Sequence, residues 1–226
     1  MSSPSSSRTG STASAPPVED TGPSRVFQIT KRLMQRHYDI SSSDDKPLFY
    51  GDISLFTPNK PDLTLHVGAS SQGPVVAVSN FLKFSGSYKL GIGNPDDMSN
   101  VQWEDMTKEL LHKPKYRLEM TVQHGADQTP GERRKFLWKR TRSVGVEDSA
   151  PSRWSIRNYK MVDEQTGQIM AVFSGGRRPG RGGKIQIRVE YGQDFDHMVL
   201  ISCLSLYEKA RRRRNRGAAG GGGGGG

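Results

Sequence analysis

Basic side chains are the chemically distinctive residues of this sequence, and they are concentrated in three clusters. The chain of 226 residues has a formal net charge of +10 at pH 7. Such a local excess of positive charge is typical of a surface that binds an anionic partner, although each cluster has an alternative as a solvated face that maintains solubility. The candidate anionic-ligand contacts are Arg133, Arg134 and Lys135, then Arg177, Arg178, Arg181 and Lys184, and finally Arg211, Arg212, Arg213 and Arg214.

The second cluster lies in a glycine-rich segment, residues 174–184, that invites comparison with a phosphate-binding loop. That motif requires glycine where Arg178 stands, and serine or threonine where Ile185 stands. We therefore expect a basic loop between two strands, whose backbone N–H groups and four cations can hold phosphates without catalysis. A plain surface loop is the alternative.

The sequence lacks the spacings that catalysis or metal binding requires. The five histidines have no metal-ligand spacing, and Cys203 is the sole cysteine, so neither a cysteine-rich site nor an intrachain disulfide is expected. A Gly-x-Ser-x-Gly motif is absent. Residues 91–96 depart from a dinucleotide fingerprint, because Asp96 replaces its third glycine. We expect a protein that is not an enzyme, with no catalytic residue, metal or cofactor.

Three interpretations of the run from Arg211 to Arg216 stay open. It is compatible with a nuclear localisation signal, with a polybasic contact to anionic lipid, or with a helix end that keeps the chain soluble. Residues 1–24 contain Ser, Thr, Pro and Gly without the apolar core of a secretory signal peptide. We expect an intracellular protein, in the cytoplasm or at the membrane periphery, with a nuclear location left open.

The apolar segment from Met198 to Tyr207 must position the last cluster. Only Ser202 and Ser205 interrupt its apolar residues, and a helix that is apolar on every face must be buried on all sides. Ten helical residues cover about half of the ~30 Å of membrane hydrocarbon, so no transmembrane segment is expected. We predict a central helix over residues 196–210, with Cys203 as a small buried hydrophobe and Asp196 as its N-cap.

Short β-strands are predicted for most of the remaining chain. Apolar and polar residues alternate in segments 63–67, 88–92, 116–122 and 185–191, as in antiparallel strands covered on one face. Trp103, Met106, Leu110 and Leu111 lie at helical spacing and favour a short surface helix. Less regular strand-like segments are 26–29, 38–40, 48–56, 75–79, 81–84, 136–140, 154–162 and 169–173.

The strand spacing predicts a closed barrel, because closure removes exposed sheet edges. Asp163 and Gly167 bound a hairpin loop between two of the strands. A barrel of a dozen strands is too wide for its own side chains to fill, and the apolar helix supplies the missing core. The predicted class is mainly β, a closed antiparallel barrel of about twelve strands around a central apolar C-terminal helix. Its expected divisions are a disordered Ser/Pro-rich tail (1–24), the barrel domain (25–210), and a basic run with a disordered poly-glycine tail (211–226).

Two segments resemble the tubby C-terminal-like superfamily, which includes tubby proteins, phospholipid scramblases and LURP-one-related proteins. They are Asn158 to Phe173, a strand, acidic turn and strand, and Gly192 to Asp196, which leads into the helix. The resemblance covers about residues 25 to 210, and the chain looks most like uncharacterised fungal members whose helix also ends in Tyr-Glu-Lys and arginines. It implies a twelve-stranded barrel around a central helix.

For tubby proteins, the resemblance implies phosphoinositide binding through basic surface residues, but no residue-by-residue match to that lipid site is found here. Scramblase-like members are credited with calcium binding near an acidic segment beside the helix. Asp194 and Asp196 lie at the corresponding place, but the alternating acidic ligands of a calcium loop are missing. No metal ligand is therefore assigned.

The leading functional hypothesis is a non-enzymatic tubby-like barrel that binds anionic phospholipid headgroups, or a protein partner at a membrane surface, through the three clusters. The first alternative is a nuclear protein that places the same clusters on nucleic acid. The second is an adaptor or structural domain without a small ligand. The sequence leaves the oligomeric state open, and it leaves open whether the clusters share one face.

Overall fold

Twelve antiparallel strands and a long C-terminal helix make up the fold of the residues that the computed structural model describes, namely 24–32, 34–55, 57–109, 114–123, 131–148, 157–176 and 182–220. The elements are β1 (Arg25–Thr30), β2 (His37–Ser41), β3 (Pro47–Ile53), β4 (Leu63–Val67), β5 (Val75–Phe81), β6 (Tyr88–Ile92), β7 (Gln102–Glu109), β8 (Lys115–Val122), β9 (Glu132–Arg140), β10 (Tyr159–Asp163), β11 (Ile169–Gly175), β12 (Gly182–Ile187) and α1 (Gln193–Gly220).

The strands form a closed barrel in which each strand pairs with its neighbours in the chain. β1 closes the barrel against β12, with Arg25 opposite Ile187 and Thr30 opposite Gly182. Closure leaves no unpaired edge along these strands, which removes a template for aggregation. The predicted fold class, a closed antiparallel barrel around a central helix, is confirmed.

Helix α1 fills the barrel, and its two serines explain how a nearly apolar helix keeps one register. The Trp138 Nε1 atom of β9 donates a hydrogen bond of 2.9 Å to Ser202 Oγ. The hydroxyls of Ser205 and of Ser79 in β5 share a hydrogen bond of 2.7 Å. Sliding or rotating the helix would break both contacts. It would then leave buried polar atoms without partners, which is costly in free energy. Cys203 is fully buried, as predicted.

The barrel has two distinct ends, defined by the direction of α1. At the helix-entry end, the rings of Phe136 and Phe195 lie 5.4 Å apart. At the helix-exit end, the Tyr38 hydroxyl donates to Glu208 Oε2 at 2.6 Å, and the Gly182 N–H donates to the Tyr207 hydroxyl at 3.1 Å. The odd-numbered strands run from the entry end to the exit end. The connections that follow them therefore lie at the exit end, as does the arginine run.

The prediction of a surface helix near Trp103 was wrong, because residues 102–109 form strand β7. Met106 is fully buried and pairs with Tyr88 on one side and Leu118 on the other. Trp103 lies an odd number of residues away and is only partly buried, since successive side chains of a strand point to opposite faces. The spacing that suggested a helix therefore joins two residues on opposite faces of one strand. Leu110 and Leu111 lie outside the described residues.

Smaller differences concern element ends. Residues 75–81 form one continuous strand where two were expected, and residues 82–84 lie in the turn that follows. The helix begins at Gln193 and continues to Gly220, so it includes the whole arginine run. The tails predicted to be disordered, residues 1–23 and 221–226, lie outside the described residues.

Two local predictions had opposite outcomes. The hairpin at Asp163 is confirmed, since Asp163 Oδ1 accepts from the backbone N–H groups of Gln165 and Thr166 at 2.8 Å each. The N-cap role of Asp196 was wrong. This residue lies inside the first helical turn, where its carboxylate accepts from the Arg25 guanidinium at 2.8 and 2.9 Å.

Candidate anionic-ligand site at the helix-exit end

The first two residues of the arginine run are held by a carboxylate inside the barrel. Glu208 is completely buried. Its oxygens accept from Arg211 at 2.7 and 2.8 Å and from Arg212 at 2.9 Å, in addition to the hydroxyl of Tyr38. Burial favours the neutral acid, but these donors outweigh it and hold the pKa of Glu208 below its ordinary value. Both arginine pairs lie within the helix, and Arg212 also fixes the helix end to the barrel by donating to Asp62 at 2.6 Å.

The next two arginines have a different environment. Arg213 and Arg214 are exposed, and no carboxylate of the described residues lies within ion-pair distance of either guanidinium. Residues 211, 214 and 215 lie on one side of the helix and residues 209, 212, 213 and 216 on the opposite side, because an α-helix has 3.6 residues per turn. Each side faces one cavity, and the two cavities flank the emerging helix.

Cavity A, of about 410 Å³, lies on the side of Arg214. It is lined by six cationic side chains, and no Asp or Glu of the described residues lines it. The cations come from the β1–β2 connection, from the segment before β10 and from α1. The lining residues are Lys31, Arg32, Met34, Gln35, Arg36, Leu55, Arg157, Arg211, Arg214 and Asn215.

Lys31 is a buried cation beside cavity A, and its surroundings disfavour its positive charge. Its side chain is only 5% exposed, and its ammonium group donates to the Gln35 carbonyl and lies 5.1 Å from the centre of the Tyr38 ring. Burial lowers the pKa of Lys31 to about 8, and repulsion from Arg211 contributes in the same direction while Glu208 opposes it. A cation whose charge is disfavoured by burial and by a like charge would be stabilised by a bound anion.

Cavity B, of about 820 Å³, lies on the side of Arg213. Six further cations line it with one acidic residue, Asp62, which pairs with Arg212 at 2.6 Å. Burial lowers the pKa of Lys209, in spite of attraction to Asp62, and repulsion from Arg213 adds to the effect. The lining residues are Ser54, Thr57, Pro58, Asn59, Lys60, Asp62, Phe81, Leu82, Lys83, Phe84, Lys209, Arg212, Arg213 and Arg216.

The first predicted cluster lies in the entry half of the barrel and is balanced by carboxylates. Arg133 pairs with the buried Glu104 and with Glu119 at 3.2 Å. Arg134 pairs with Glu132 at 2.9 Å and with Asp163 at 3.3 Å. Lys135 is exposed. This cluster is therefore separated from the arginine run by the length of the barrel.

The second predicted cluster is described only in part. Lys184 is exposed and lies 3.6 Å from Glu147. Arg177, Arg178 and Arg181 lie outside the described residues. The glycines that flank them, Gly176 and Gly182, share a hydrogen bond of 2.8 Å at the exit end.

The sequence interpretation missed the cations of cavity A outside the run, namely Lys31, Arg32, Arg36 and Arg157. A signal for the first three was present in the strand order. A helix that follows an even number of antiparallel strands emerges at the end where the β1–β2 connection lies, so these residues had to be near the arginine run. Within the described residues, no group of three His, Cys, Asp or Glu side chains is placed to hold a metal ion. None of the described helices is both long enough and apolar enough to cross a membrane.

Comparisons with known proteins add a structural likeness to this description. No family model and no curated protein matches the chain. Among solved structures, the chain is similar to a protein of Arabidopsis thaliana with 13% sequence identity and a TM-score of 0.48, over 83% of this chain and 91% of that one. Fold and site together define a closed β-barrel threaded by a helix whose emerging end is strongly cationic.

Proposed function

We propose that the protein is a non-enzymatic binder of anionic phospholipid headgroups, and that its helix-exit end holds the headgroup. The observation that carries this proposal is the lining of cavity A, with six cations and no carboxylate among the described residues. Guanidinium groups suit phosphate oxygens, because they donate paired hydrogen bonds as well as charge. The volume of about 410 Å³ falls within the usual range for small-ligand sites.

The distribution of the cations favours a headgroup over nucleic acid. Non-specific nucleic-acid binders use a continuous basic groove that follows the backbone of the strand. Here the cations of the first cluster are paired with carboxylates in the opposite half of the barrel, which leaves the exit end as a compact positive surface. We propose an intracellular protein that acts at the membrane periphery.

We also propose membership of the tubby C-terminal-like superfamily. The closed barrel around a buried C-terminal helix supports this, since that is the architecture that the resemblance implies. Phosphoinositide binding by tubby proteins agrees with the proposed ligand class. The cations of cavity A are assigned from their geometry, with no correspondence to the tubby lipid site.

Reversing the two exposed arginines is expected to abolish most binding to anionic vesicles. In a co-sedimentation experiment with phosphatidylcholine vesicles that contain a phosphoinositide, Arg213→Glu/Arg214→Glu should bind at least about a hundredfold more weakly than the wild type. Each surface cation contributes about 1 kcal/mol on anionic lipid, and charge reversal replaces this attraction with repulsion. Both side chains are exposed, so the fold should be retained.

The matched control is Lys46→Glu/Lys135→Glu, which makes the same change in net charge at two exposed positions away from the exit end. It should keep most of the binding. An equal loss in the control pair, or equal binding to vesicles of pure phosphatidylcholine, would contradict the proposal. Binding to duplex DNA with a steep salt dependence, without binding to vesicles, would favour the nucleic-acid alternative.

A further inference from the structure

Exposed apolar side chains are concentrated at the helix-exit end. Six large apolar residues of the described chain are exposed, and four of them line the two cavities beside the arginine helix. The other two lie towards the entry end, since Val67 is the last residue of β4 and Met98 lies in the connection after β6. Single exposed apolar residues are ordinary, but their gathering around a cationic surface requires an explanation. The four are Met34, Leu55, Leu82 and Phe84.

Phe84 is the most conspicuous of the four. It lies in the turn between β5 and β6, and its side chain is fully exposed. Its backbone has a φ of 66°, a left-handed conformation that glycine or asparagine adopts more easily than a bulky residue. Lys83 precedes it, and Lys209, Arg213 and Arg216 line the same cavity.

Met34 repeats this arrangement on the other side of the helix. Its side chain is 95% exposed, and its φ of 71° is again left-handed. Arg32, Arg36 and Arg214 line the same cavity. Two turns of unrelated sequence thus each present a large apolar side chain among cations at one end of the barrel.

We infer that these two turns insert into the membrane when the protein docks, with Phe84 and Met34 reaching below the headgroup layer. This inference rests on the proposed function. In a membrane surface, anionic headgroups cover apolar acyl chains, and exposed apolar side chains surrounded by cations are complementary to such a surface. Phe84 and Met34 lie on opposite sides of the cationic helix, so they do not form the contiguous apolar patch that a second copy of the chain would bury.

Insertion is tested directly by a fluorescent reporter on the full-length chain. Phe84→Trp should be quenched by vesicles of brominated phosphatidylcholine with phosphatidylserine, relative to the same vesicles without bromine. The control is Met98→Trp, an exposed apolar position on the far side of the barrel, which should show no added quenching. Because each substituted side chain is exposed, both variants should fold. Equal quenching of the two reporters, or none of Phe84→Trp, would overturn the inference.

The affinity of Phe84→Ala separates insertion from headgroup binding. We expect about a tenfold loss of vesicle affinity, the change that corresponds to ~1.4 kcal/mol, with unchanged binding of soluble inositol trisphosphate. Unchanged vesicle affinity would overturn insertion and leave the proposed function standing. If the wild type bound neither vesicles nor inositol trisphosphate, both would fail. Phe84-dependent dimers in sedimentation without lipid would overturn insertion in favour of a second copy of the chain.

Discussion

A chain that ends before Asp196 is expected to be insoluble. Such a truncation removes the central helix and leaves the inward-facing side chains of twelve strands around an empty interior. The lost side chains are each no more than 2% exposed, and their burial contributes about 1.5–3 kcal/mol apiece, on the order of 10 kcal/mol in total. This equals the whole net stability of a typical domain, about 5–15 kcal/mol. The side chains are Met198, Val199, Leu200, Ile201, Leu204 and Leu206.

The control for this truncation is a chain that ends at Arg216. It keeps every helical residue for which the structure shows a contact to the barrel, so it should be soluble and unfold in one cooperative transition. Circular dichroism and size-exclusion chromatography measure both properties. A soluble, monomeric and cooperatively folded product from the shorter chain would show that the barrel does not depend on the helix.

Replacing the buried glutamate is the second change with a large expected effect. Glu208→Gln should lower the free energy of unfolding by about 3 kcal/mol, since removing one partner of a buried ion pair leaves the other charges uncompensated. Arg211 would lose its counter-charge and Arg212 would keep only Asp62, while both remain mostly buried, with side-chain exposures of 21% and 15%. Urea unfolding of the wild type and the variant measures the difference.

The pH dependence of this difference identifies its cause. The pKa of Glu208 is lower in the folded state than its ordinary value of about 4.5. Its charge therefore contributes stability that is fully present above pH 4.5 and is lost as the pH falls through the folded-state pKa. The difference in the free energy of unfolding between wild type and Glu208→Gln should be constant near neutrality and should become smaller in acid. A difference that did not change with pH would show that packing, and not charge, is its cause.

Glu190→Gln is the matched control, since it removes a carboxylate that also pairs with an arginine, Arg25. The side chain of Glu190 is 53% exposed, so water screens the pair and the expected loss is under about 1 kcal/mol. Similar losses for the two variants would contradict the structural role assigned to Glu208.

The barrel and its central helix could be predicted because both depend on patterns that are local in sequence. Strict alternation marked β4 and β6 to the residue, and the run from Met198 to Tyr207 lacked a polar face. Strand β7 was not predicted, because Met106 and Trp103 lie on opposite faces and only pairing with β6 and β8 reveals which side chain is inside the barrel. Pairing with the neighbouring strands made this segment a strand, although its local residue spacing favours a helix.

The candidate site was harder to predict, because clusters of charge in a sequence do not show which charges are neutralised. Arg133 meets Glu104, which lies 29 positions earlier, and Arg212 meets Asp62, which lies 150 positions earlier. The first partner is set by the pairing of β7 and β9 with β8, and the second by the passage of α1 through the barrel. The same passage brings Lys31 beside Arg211. A count of cations along the chain therefore overstates the first cluster and omits part of cavity A.

Hydrogen–deuterium exchange of the full chain with and without anionic vesicles tests the central claim, that the helix-exit end is the lipid-binding surface. Phosphoinositide vesicles should slow exchange in the connections at the exit end, over residues 31–36 and 82–87. Exchange should be unchanged at residues 42–46 and 164–168, which connect strands at the entry end. Protection confined to the entry end, or equal protection by vesicles of pure phosphatidylcholine, would contradict it.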